Sequence, residues 1–260
     1  MFRYFTHPIN LLNGLLYLFF FLSWGSFLNM LAYRLIHGNL FAVRSFCQSC
    51  KYALAWYDEI PVLSFFLLRG KCRICKAPIS FLHPFIELLT AAIFLILVWR
   101  IEPRYMIGFG IFCSALIITI STDLDSMLIS RFVTLCLVPV GFALASFGAL
   151  RVTLIESLIG AFSAGVFLFF VAKVFKLVTG KDGMGQGDID LLIFIGSFLG
   201  YIQWWMSLLI GSLIGSLVSI FILILNGSNW SRKIPFGPFL AAGAIIDLFL
   251  HDQIIFLLFG

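Results

Sequence analysis

The chain contains a run of 41 consecutive residues without a charged side chain, from 191 to 231. A membrane-spanning α-helix needs roughly 20 mostly apolar residues, so this run is too long for one span and suits two. A natural break lies at Gly200–Trp205, because Gln203 and the paired tryptophans Trp204 and Trp205 favour the boundary between lipid and water. The run therefore predicts two helices in a lipid bilayer.

The composition extends this prediction to the whole chain. Of 260 residues, 17 are Lys or Arg and 12 are Asp or Glu, so that charged residues make up 11%, against roughly 25% in an average soluble protein. Hydrophobic residues account for 62%. Such a small polar supply cannot cover the surface of a water-soluble fold. We therefore expect an all-α polytopic membrane protein.

The distribution of charges predicts about eight transmembrane helices. The first ends at residue 33, and the other seven fall within 84–260, which we expect to form the main membrane domain. Most of these stretches are uncharged, and two contain one or two acids. The eight spans are 4–33, 84–99, 105–122, 132–150, 157–172, the two halves of 191–231, and 235–259.

Lys and Arg are distributed unevenly between the two sides of this arrangement. With the N-terminus outside, 13 of the 17 basic residues fall in segments that face the cytoplasm. Cytoplasmic loops of membrane proteins carry an excess of Lys and Arg, so we expect both termini to lie outside. This bias explains the net charge of +5, and the sequence has no basic run with interleaved aromatics that would indicate nucleic-acid binding.

The sizeable polar segment 34–83 contains four of the six cysteines, in the pairs Cys47-Gln-Ser-Cys50 and Cys72-Arg-Ile-Cys75. Two such pairs can place four thiolates tetrahedrally around Zn²⁺. Two disulfides or four free thiols are the alternatives, although a reducing cytoplasm disfavours disulfides. We expect a small cytoplasmic zinc-binding loop domain. The metal would be structural, because four cysteine ligands leave no open coordination position.

Two clusters of acids lie at the predicted membrane edge. Asp123 and Asp125 follow the third span, and Asp188 and Asp190 precede the sixth. Both clusters fall on the cytoplasmic side, so that Asp123 and Asp188 could meet although 65 residues separate them. Ionisable groups in or beside a span are candidates for function. Acids that cap helix starts or lie in solvated turns are the alternative interpretation.

Two facing carboxylates suit peptide hydrolysis. Such a pair shares a proton, because two close negative charges cannot both form cheaply. The ionised member takes a proton from water, and the protonated member donates a hydrogen bond to the scissile carbonyl. The glycines before Asp188, including Gly185 and Gly187, would let a substrate backbone or a neighbouring helix approach closely. Their spacing does not match a dinucleotide-binding or phosphate-binding loop.

Six short sequence motifs are spread along most of the chain, and their order supports a resemblance to a known family. They are Gly25-Ser26-Phe27-Leu28-Asn29 with Arg34-Leu35, the two cysteine pairs, the intervening Trp56…Ile60-Pro61-Val62-Leu63-Ser64 and Leu68-Arg69-Gly70, Pro84…Glu87-Leu88, Gly183-Met184-Gly185…Gly187-Asp188, and Ile234-Pro235-Phe236-Gly237-Pro238-Phe239. Together they resemble the bacterial prepilin peptidases, the type IV prepilin leader peptidase family of membrane aspartic proteases.

This resemblance implies a function for several residues. It places the catalytic aspartates on Asp123 and Asp188, with Asp125 as a weaker supporting candidate. The implied substrates are type IV prepilins or pseudopilins of a pilus or type II secretion system, cleaved at the cytoplasmic face of the bacterial inner membrane. The resemblance also implies N-methylation of the new N-terminus with S-adenosylmethionine. Glu87 is a possible methylation-site residue, although an interfacial acid paired with a loop cation is the simpler interpretation.

The chain departs from the family pattern at three positions. Asp190 stands where the family commonly has Lys, Ser130 where Pro is frequent, and Leu82 where Arg is common. Asp190 and Ser130 lie close to the proposed site. These two substitutions affect how the catalytic acids are positioned and how their charge is balanced, including whether Asp190 raises the pKa of Asp188.

Two other functions stay open on the residues alone. A presenilin-type GxGD intramembrane protease would share the Gly-x-Gly-Asp sequence, but the cysteine loop and the acids at the membrane edge favour a prepilin peptidase. A non-enzymatic transporter coupled to protons or ions predicts acids near the bilayer midplane. Only Asp247 matches that expectation.

Overall fold

The computed structural model describes residues 11–38, 45–181, 183–226 and 234–259. Within these ranges the chain is helical, and β-structure is limited to two isolated bridges, Phe46–Ala53 and Lys71–Pro78. The predicted all-α class is confirmed. The helices are α1 (Leu11–His37), α2 (Leu63–Leu67), α3 (Leu82–Arg100), α4 (Met106–Ser126), α5 (Arg131–Ser146), α6 (Leu154–Thr179), α7 (Gln186–Leu199), α8 (Gln203–Asn226) and α9 (Gly237–Phe259).

Five segments of the described chain are long and apolar enough to cross a membrane, which confirms the class of helical membrane protein. Helix α5 is apolar but has only 16 residues, and α7 has 14. At 1.5 Å per residue α7 is about 21 Å long, shorter than a hydrocarbon core of roughly 30 Å. The count of eight spans therefore stays a prediction. The five segments are Leu12–His37, Leu82–Arg100, Pro103–Ser126, Leu154–Thr179 and Gln203–Leu225.

The chain packs as two compact units, Met1–Glu102 and Pro103–Gly260. The first contains α1, the cysteine loop and α3, and the second contains α4 to α9. The sequence-based boundaries at residues 33 and 83 follow the polarity of the loop. Packing instead groups α3 with α1 and the loop.

In the first unit, α1 and α3 approach closely at Gly25. A Cβ atom at this position would lie 2.8 Å from the Cα atom of Glu87 and 3.0 Å from the side chain of Thr90. Four residues later, the Asn29 side-chain amide donates a hydrogen bond of 2.9 Å to the carbonyl of His83. Small residues allow membrane helices to pack closely, so the segment Gly25–Asn29 holds α1 against the start of α3.

In the second unit, glycines bring neighbouring helices into backbone contact. Gly160 of α6 faces Gly196 of α7, and Gly211 of α8 faces Gly243 of α9. A Cβ atom at any of these four positions would overlap the backbone of the facing helix. Between helices in lipid, close van der Waals packing replaces the hydrophobic effect as the main attraction. These four positions therefore set the spacing of the α6–α7 and α8–α9 pairs.

Three stacked phenylalanines join α4 to α7. The ring of Phe112 lies 5.4 Å from that of Phe194 and 5.3 Å from that of Phe198, measured between centroids, and all three side chains are fully buried. Asp123, further along α4, and Asp188, earlier in α7, also lie close enough to interact through their charges, so the two helices run in opposite directions. The C-terminal end of α4 and the N-terminal end of α7 therefore lie at the same end of this unit.

The break between α7 and α8 falls where the sequence places it, at Gly200, whose positive φ (+87°) favours glycine. The expectation of an interfacial pair of tryptophans is wrong for Trp204. Its side chain is buried, and its indole N–H donates a hydrogen bond of 3.0 Å to the hydroxyl of Ser163. Trp205 is exposed. Trp204 is therefore a packing residue between α8 and α6.

Candidate functional site

Asp123 lies in the last turn of α4 and is almost completely buried, with 5% of its surface exposed. The helix ends shortly after it, because Met127 adopts a left-handed conformation (φ +55°) and its N–H donates to the Asp123 carbonyl at 3.0 Å. The Asp123 side chain is thus held at a helix end, inside the protein.

The start of α9 supplies a hydrogen-bond donor to this carboxylate. The backbone N–H of Gly237 donates to Oδ2 of Asp123 at 3.0 Å, across 114 residues of sequence. A Cβ atom at position 237 would lie 2.6 Å from the same oxygen, so only glycine leaves room for this contact. The N-terminus of a helix favours negative charge. The site around Asp123 is therefore built to hold a carboxylate.

Asp188 lies in the first turn of α7, before the apolar stretch 191–199. Its backbone N–H donates to the carbonyl of Gly185, the N-cap residue, at 3.2 Å. The Asp188 side chain is close enough to Asp123 to interact with its charge. Burial, and after it the charge of Asp123, raise the pKa of the Asp188 carboxyl to about 6, against the opposing effect of the Gly185 backbone. The structure thus brings the two predicted catalytic acids together.

Ile129 packs between the segments that carry this acid pair. A Cβ atom at Gly187 would lie 2.8 Å from Cβ of Ile129, and one at Gly237 would lie 3.0 Å from its Cδ1. A Cβ atom at Gly185 would lie 3.4 Å from Oδ2 of Asp188, an ordinary contact. The glycines at 187 and 237 therefore let the helix ends close around Ile129, and Gly185 has more room.

The structure does not bring Asp125 to the pair. Asp123 is buried, whereas Asp125, two residues further along the same helix, is exposed. Successive residues of an α-helix are rotated by about 100°, so side chains two residues apart point in nearly opposite directions. Asp125 stays a weaker, supporting candidate.

Asp190, one of the three departures from the family pattern, forms an ion pair with the first residue of α5. The guanidinium Nε of Arg131, the first residue of α5, donates to Oδ2 of Asp190 at 2.7 Å. The Asp190 carboxylate is buried, and the Arg131 side chain is 62% exposed. The ion pair balances the extra acid next to Asp188. Ser130, the second departure, is the N-cap residue of α5 and accepts N–H donors through its backbone carbonyl.

The transporter interpretation rested on Asp247, which is fully buried in α9. One of its oxygens lies 2.9 Å from Nδ1 of His251, one turn further along the helix. Sequence reasoning missed this pair, although a separation of four residues on a predicted helix is a readable signal. Asp247 is therefore part of an intrahelical Asp–His pair.

The four cysteines of the first unit form one cluster. The Sγ atoms of Cys47, Cys50, Cys72 and Cys75 all lie within 4.8 Å of one another, and all four are free thiols. Sγ of Cys47 lies 3.8 Å from Sγ of Cys75. This equals the edge of a tetrahedron with metal–sulfur bonds of about 2.3 Å, which is about 3.8 Å. The cluster can hold a metal ion, as the spacing predicts.

The two halves of the cluster are built alike. In the first, Lys51 adopts φ +58° and its N–H donates to the carbonyl of Cys47 at 2.9 Å; in the second, Lys76 adopts φ +59° and donates to Cys72 at 3.1 Å. Each turn is then closed by an isolated bridge. Each C-x-x-C pair thus folds as the same local turn, with a left-handed lysine after the second cysteine.

The thiols of the cluster differ in acidity. The backbone N–H of Cys50 is the main cause that lowers the pKa of the Cys47 thiol to about 6. For Cys75 the N–H of Ala77 also acts to lower the pKa, but desolvation and the hydrogen bonds of the other three thiols outweigh it and raise the pKa to about 11. The Cys47 thiolate therefore forms readily, whereas Cys75 keeps its proton, because its thiol is desolvated and hydrogen-bonded to the other three. A divalent cation bound by the cluster would favour the thiolate form of all four.

Glu87, the possible methylation-site residue, has a backbone partner in the loop. Its carboxylate accepts the N–H of Val62 at 2.7 Å and interacts with the hydroxyl of Ser26. The simpler interpretation named a loop cation as the partner, but the contact is with loop backbone. Leu82, the third departure, begins α3, and its N–H donates to the hydroxyl of Ser80 at 3.2 Å.

Two family profiles match successive parts of the chain: the bacterial peptidase A24 N-terminal domain over residues 19–101, and the type IV leader peptidase family over residues 110–220. A prepilin leader peptidase/N-methyltransferase from Aeromonas hydrophila is 37% identical over 221 residues, covering 83% of this chain and 74% of that protein. The chain belongs to the type IV leader peptidase family.

Further relatives carry the same name. Those from Legionella pneumophila and Pseudomonas aeruginosa are both 34% identical, covering 84% and 83% of this chain and 76% and 74% of the respective relative. No solved structure matches the chain. Membership confirms the resemblance inferred from the motifs. Both acids of the pair lie in the second matched region and the cysteines in the first, whereas Gly237 lies outside both.

Proposed function

We propose that the protein is a membrane aspartic endopeptidase that removes the leader peptides of type IV prepilins or pseudopilins. The observation that carries this proposal is the pairing of Asp123 and Asp188 at adjoining helix ends, beside the N–H of Gly237. The relatives named prepilin leader peptidases support the same substrate class. The excess of basic residues in the predicted inner segments supports an inner-membrane protein with this site at the cytoplasmic face.

The environments of the two acids suggest a division of roles. Asp123, which accepts the Gly237 N–H at the start of α9, is the ionised member and takes a proton from the attacking water. Asp188 retains a proton, because burial and the neighbouring charge disfavour its ionised form. It donates a hydrogen bond to the carbonyl oxygen of the scissile peptide. The water oxygen bonds to the carbonyl carbon, and the carbonyl oxygen takes the proton of Asp188. The C–N bond then breaks, the leaving nitrogen takes the proton that Asp123 received from water, and the proton on oxygen returns to the acid pair.

Cleavage of a co-expressed prepilin tests this proposal. We expect Asp123→Ala and Asp188→Ala each to abolish the shift to mature pilin while the protein stays in the membrane fraction. Asp252→Asn, which alters an exposed carboxylate of α9, is a matched control and should cleave normally. Asp125→Asn should cause at most a partial loss. Full cleavage by either alanine variant would refute the acid pair.

We further propose that the cysteine cluster holds a structural Zn²⁺. Four thiolates with near-tetrahedral spacing are a donor set that zinc prefers. With all positions taken by cysteines, the ion would organise the loop and would not bind water for catalysis. The four ligands are Cys47, Cys50, Cys72 and Cys75.

The relatives named N-methyltransferases support a second activity, methylation of the new pilin N-terminus. S-adenosylmethionine would supply the methyl group. Mass spectrometry of the mature pilin should show one added methyl group, and an unmodified N-terminus would contradict this activity. Glu87 remains the candidate residue for it. If Glu87→Gln lowers methylation without lowering cleavage, Glu87 serves methylation; an equal loss of both activities would indicate a structural role.

A further inference from the structure

Helix α2, in the cysteine loop, presents an apolar face that the rest of the described chain leaves uncovered. Leu63, Phe66 and Leu67 lie at positions i, i+3 and i+4, on one side of the helix, and are 60%, 62% and 77% exposed. The ring of Phe65 instead packs against that of Phe81, with centroids 6.0 Å apart. An exposed apolar group of this kind indicates a contact surface.

The start of α2 is tied to the inside of a membrane span. The N–H of Val62, the N-cap residue of α2, donates to the Glu87 carboxylate at 2.7 Å. Glu87 lies five residues after Leu82, where α3 begins, which corresponds to about 7.5 Å along the helix axis. The first residues of α2 therefore lie beside the second turn of α3, which is a candidate membrane span.

A strained turn directs the chain into α2. Val62 adopts φ +62° and ψ −51°, and the N–H of Leu63 donates to the carbonyl of Pro61 at 2.6 Å, which together form a γ-turn. A β-branched residue at positive φ is a genuine outlier and marks a strained backbone. Such strain persists only where surrounding contacts impose it, and here the Glu87 carboxylate is one of them.

The apolar face of α2 is continuous with the outer surface of α3. Phe81, Phe85 and Leu88 follow one another at helical spacing and are 64%, 42% and 49% exposed, so they form the lipid-facing stripe of a spanning helix. Phe65 of α2 packs against Phe81 at the start of this stripe. Arg69 follows α2 and is exposed. A cation beside an apolar helix face suits a surface of anionic lipid headgroups.

We propose that α2 is an interfacial helix that inserts Leu63, Phe66 and Leu67 into the boundary between headgroups and acyl chains of the bilayer. Arg69 and Lys71 face the anionic headgroups. The cysteine cluster is thereby held against the membrane surface through α2, as well as through the chain ends that lead to α1 and α3. This surface is separate from the acid pair and does not depend on the proposed proteolysis.

The experiment uses the full metal-loaded chain in nanodiscs of phosphatidylethanolamine and phosphatidylglycerol. A nitroxide is attached at Leu67→Cys in a Cys136→Ser background, which removes the exposed thiol outside the cluster. Two collision rates of the nitroxide are then compared. One is its collision rate with oxygen, which concentrates in lipid, and the other is its collision rate with a neutral nickel chelate, which stays in water. The matched control carries the label at Glu59→Cys, an exposed charged position of the same loop. Phe66→Cys, on the same face as Leu67, provides a second label should the first variant lose its metal.

We expect the oxygen-to-nickel ratio at Leu67 to exceed that at Glu59 several-fold. Exchange of phosphatidylglycerol for phosphatidylcholine should lower the ratio at Leu67 and leave Glu59 unchanged. Equal ratios at the two positions would mean that α2 faces water and would overturn the proposal. A Leu67 label shielded from both reagents would also overturn it, because protein and not lipid would then cover the face.

Discussion

The cysteine cluster and the aspartate pair are assembled in opposite ways. Each half of the cluster is one local turn, with its two thiols three residues apart and the same left-handed lysine behind them. The aspartate pair instead joins the ends of three helices, whose contributing residues are Asp123, Asp188 and Gly237. No short segment contains more than one of these groups. The first site is therefore determined by local spacing, and the second by the packing of membrane helices.

Removal of a cluster thiol should give the largest change at the cysteine site. Cys72 is the buried member of the cluster, and Cys72→Ser should reduce the zinc content from about one ion per chain to almost none. The loop between residues 45 and 80 should then be cleaved by added protease, because the proposed zinc would hold its fold together. Elemental analysis and limited proteolysis measure both effects.

Two controls sharpen the comparison between the sites. Cys136→Ser, which removes an exposed thiol outside the cluster, should keep its metal. Asp188→Asn should also keep it, because the acid pair belongs to a different packing unit. A metal-free chain whose loop resists protease would contradict the structural role of zinc.

Gly237→Ala tests whether the aspartate site depends on close packing. The added Cβ would meet Oδ2 of Asp123 at 2.6 Å and displace either the carboxylate or the start of α9. A displacement of about 1 Å can cost about 100-fold in rate, so we expect a loss of about 10- to 100-fold in cleavage rate with zinc retained. Gly185→Ala should cost less, because its Cβ would make an ordinary contact of 3.4 Å with Asp188. Equal losses would argue against this packing.

The pair formed by Arg131 and Asp190 should give the smallest effect. Arg131→Ala leaves a buried carboxylate without its charged partner, but the partly exposed guanidinium limits the cost to about 1–2 kcal/mol in the free energy of unfolding. A double-mutant cycle with Asp190→Ala, measured by unfolding in mixed micelles, isolates the coupling. Lys181→Ala, at an exposed cation, is the control. A coupling energy near zero would show that the pair does not stabilise α5 against α7.

The same contrast explains which features could be predicted from the sequence. The helical membrane class follows from the charge distribution and the cysteine cluster from two C-x-x-C pairs, since both signals are local. Asp123 and Asp188 were identified as acids at predicted span ends and through their motif. The contact of Gly237 with Asp123 could not be predicted, because it depends on how α9 begins beside α4. The partner of Asp190 likewise depends on tertiary packing.

Some features were within reach of the sequence and were still missed. Asp123 and Asp125 lie on one helix two residues apart, so helical rotation alone places only one of them in the interior. Asp247 and His251 lie one turn apart in α9. The buried position of Trp204 was harder to foresee, because two adjacent tryptophans are typical of a membrane interface and only the contact with α6 distinguishes this one.

The proposed mechanism requires Asp123 and Asp188 to act as one catalytic unit. It is tested most directly by single-turnover cleavage of a prepilin by purified enzyme carrying Asp123→Asn, Asp188→Asn or both substitutions. Residues that act as a unit are strongly non-additive, so each single variant should lose as much activity as the double variant, by a factor of at least about 1000. Independent, multiplying losses in the double variant, or substantial cleavage by either single variant, would show that the two acids do not share one catalytic role.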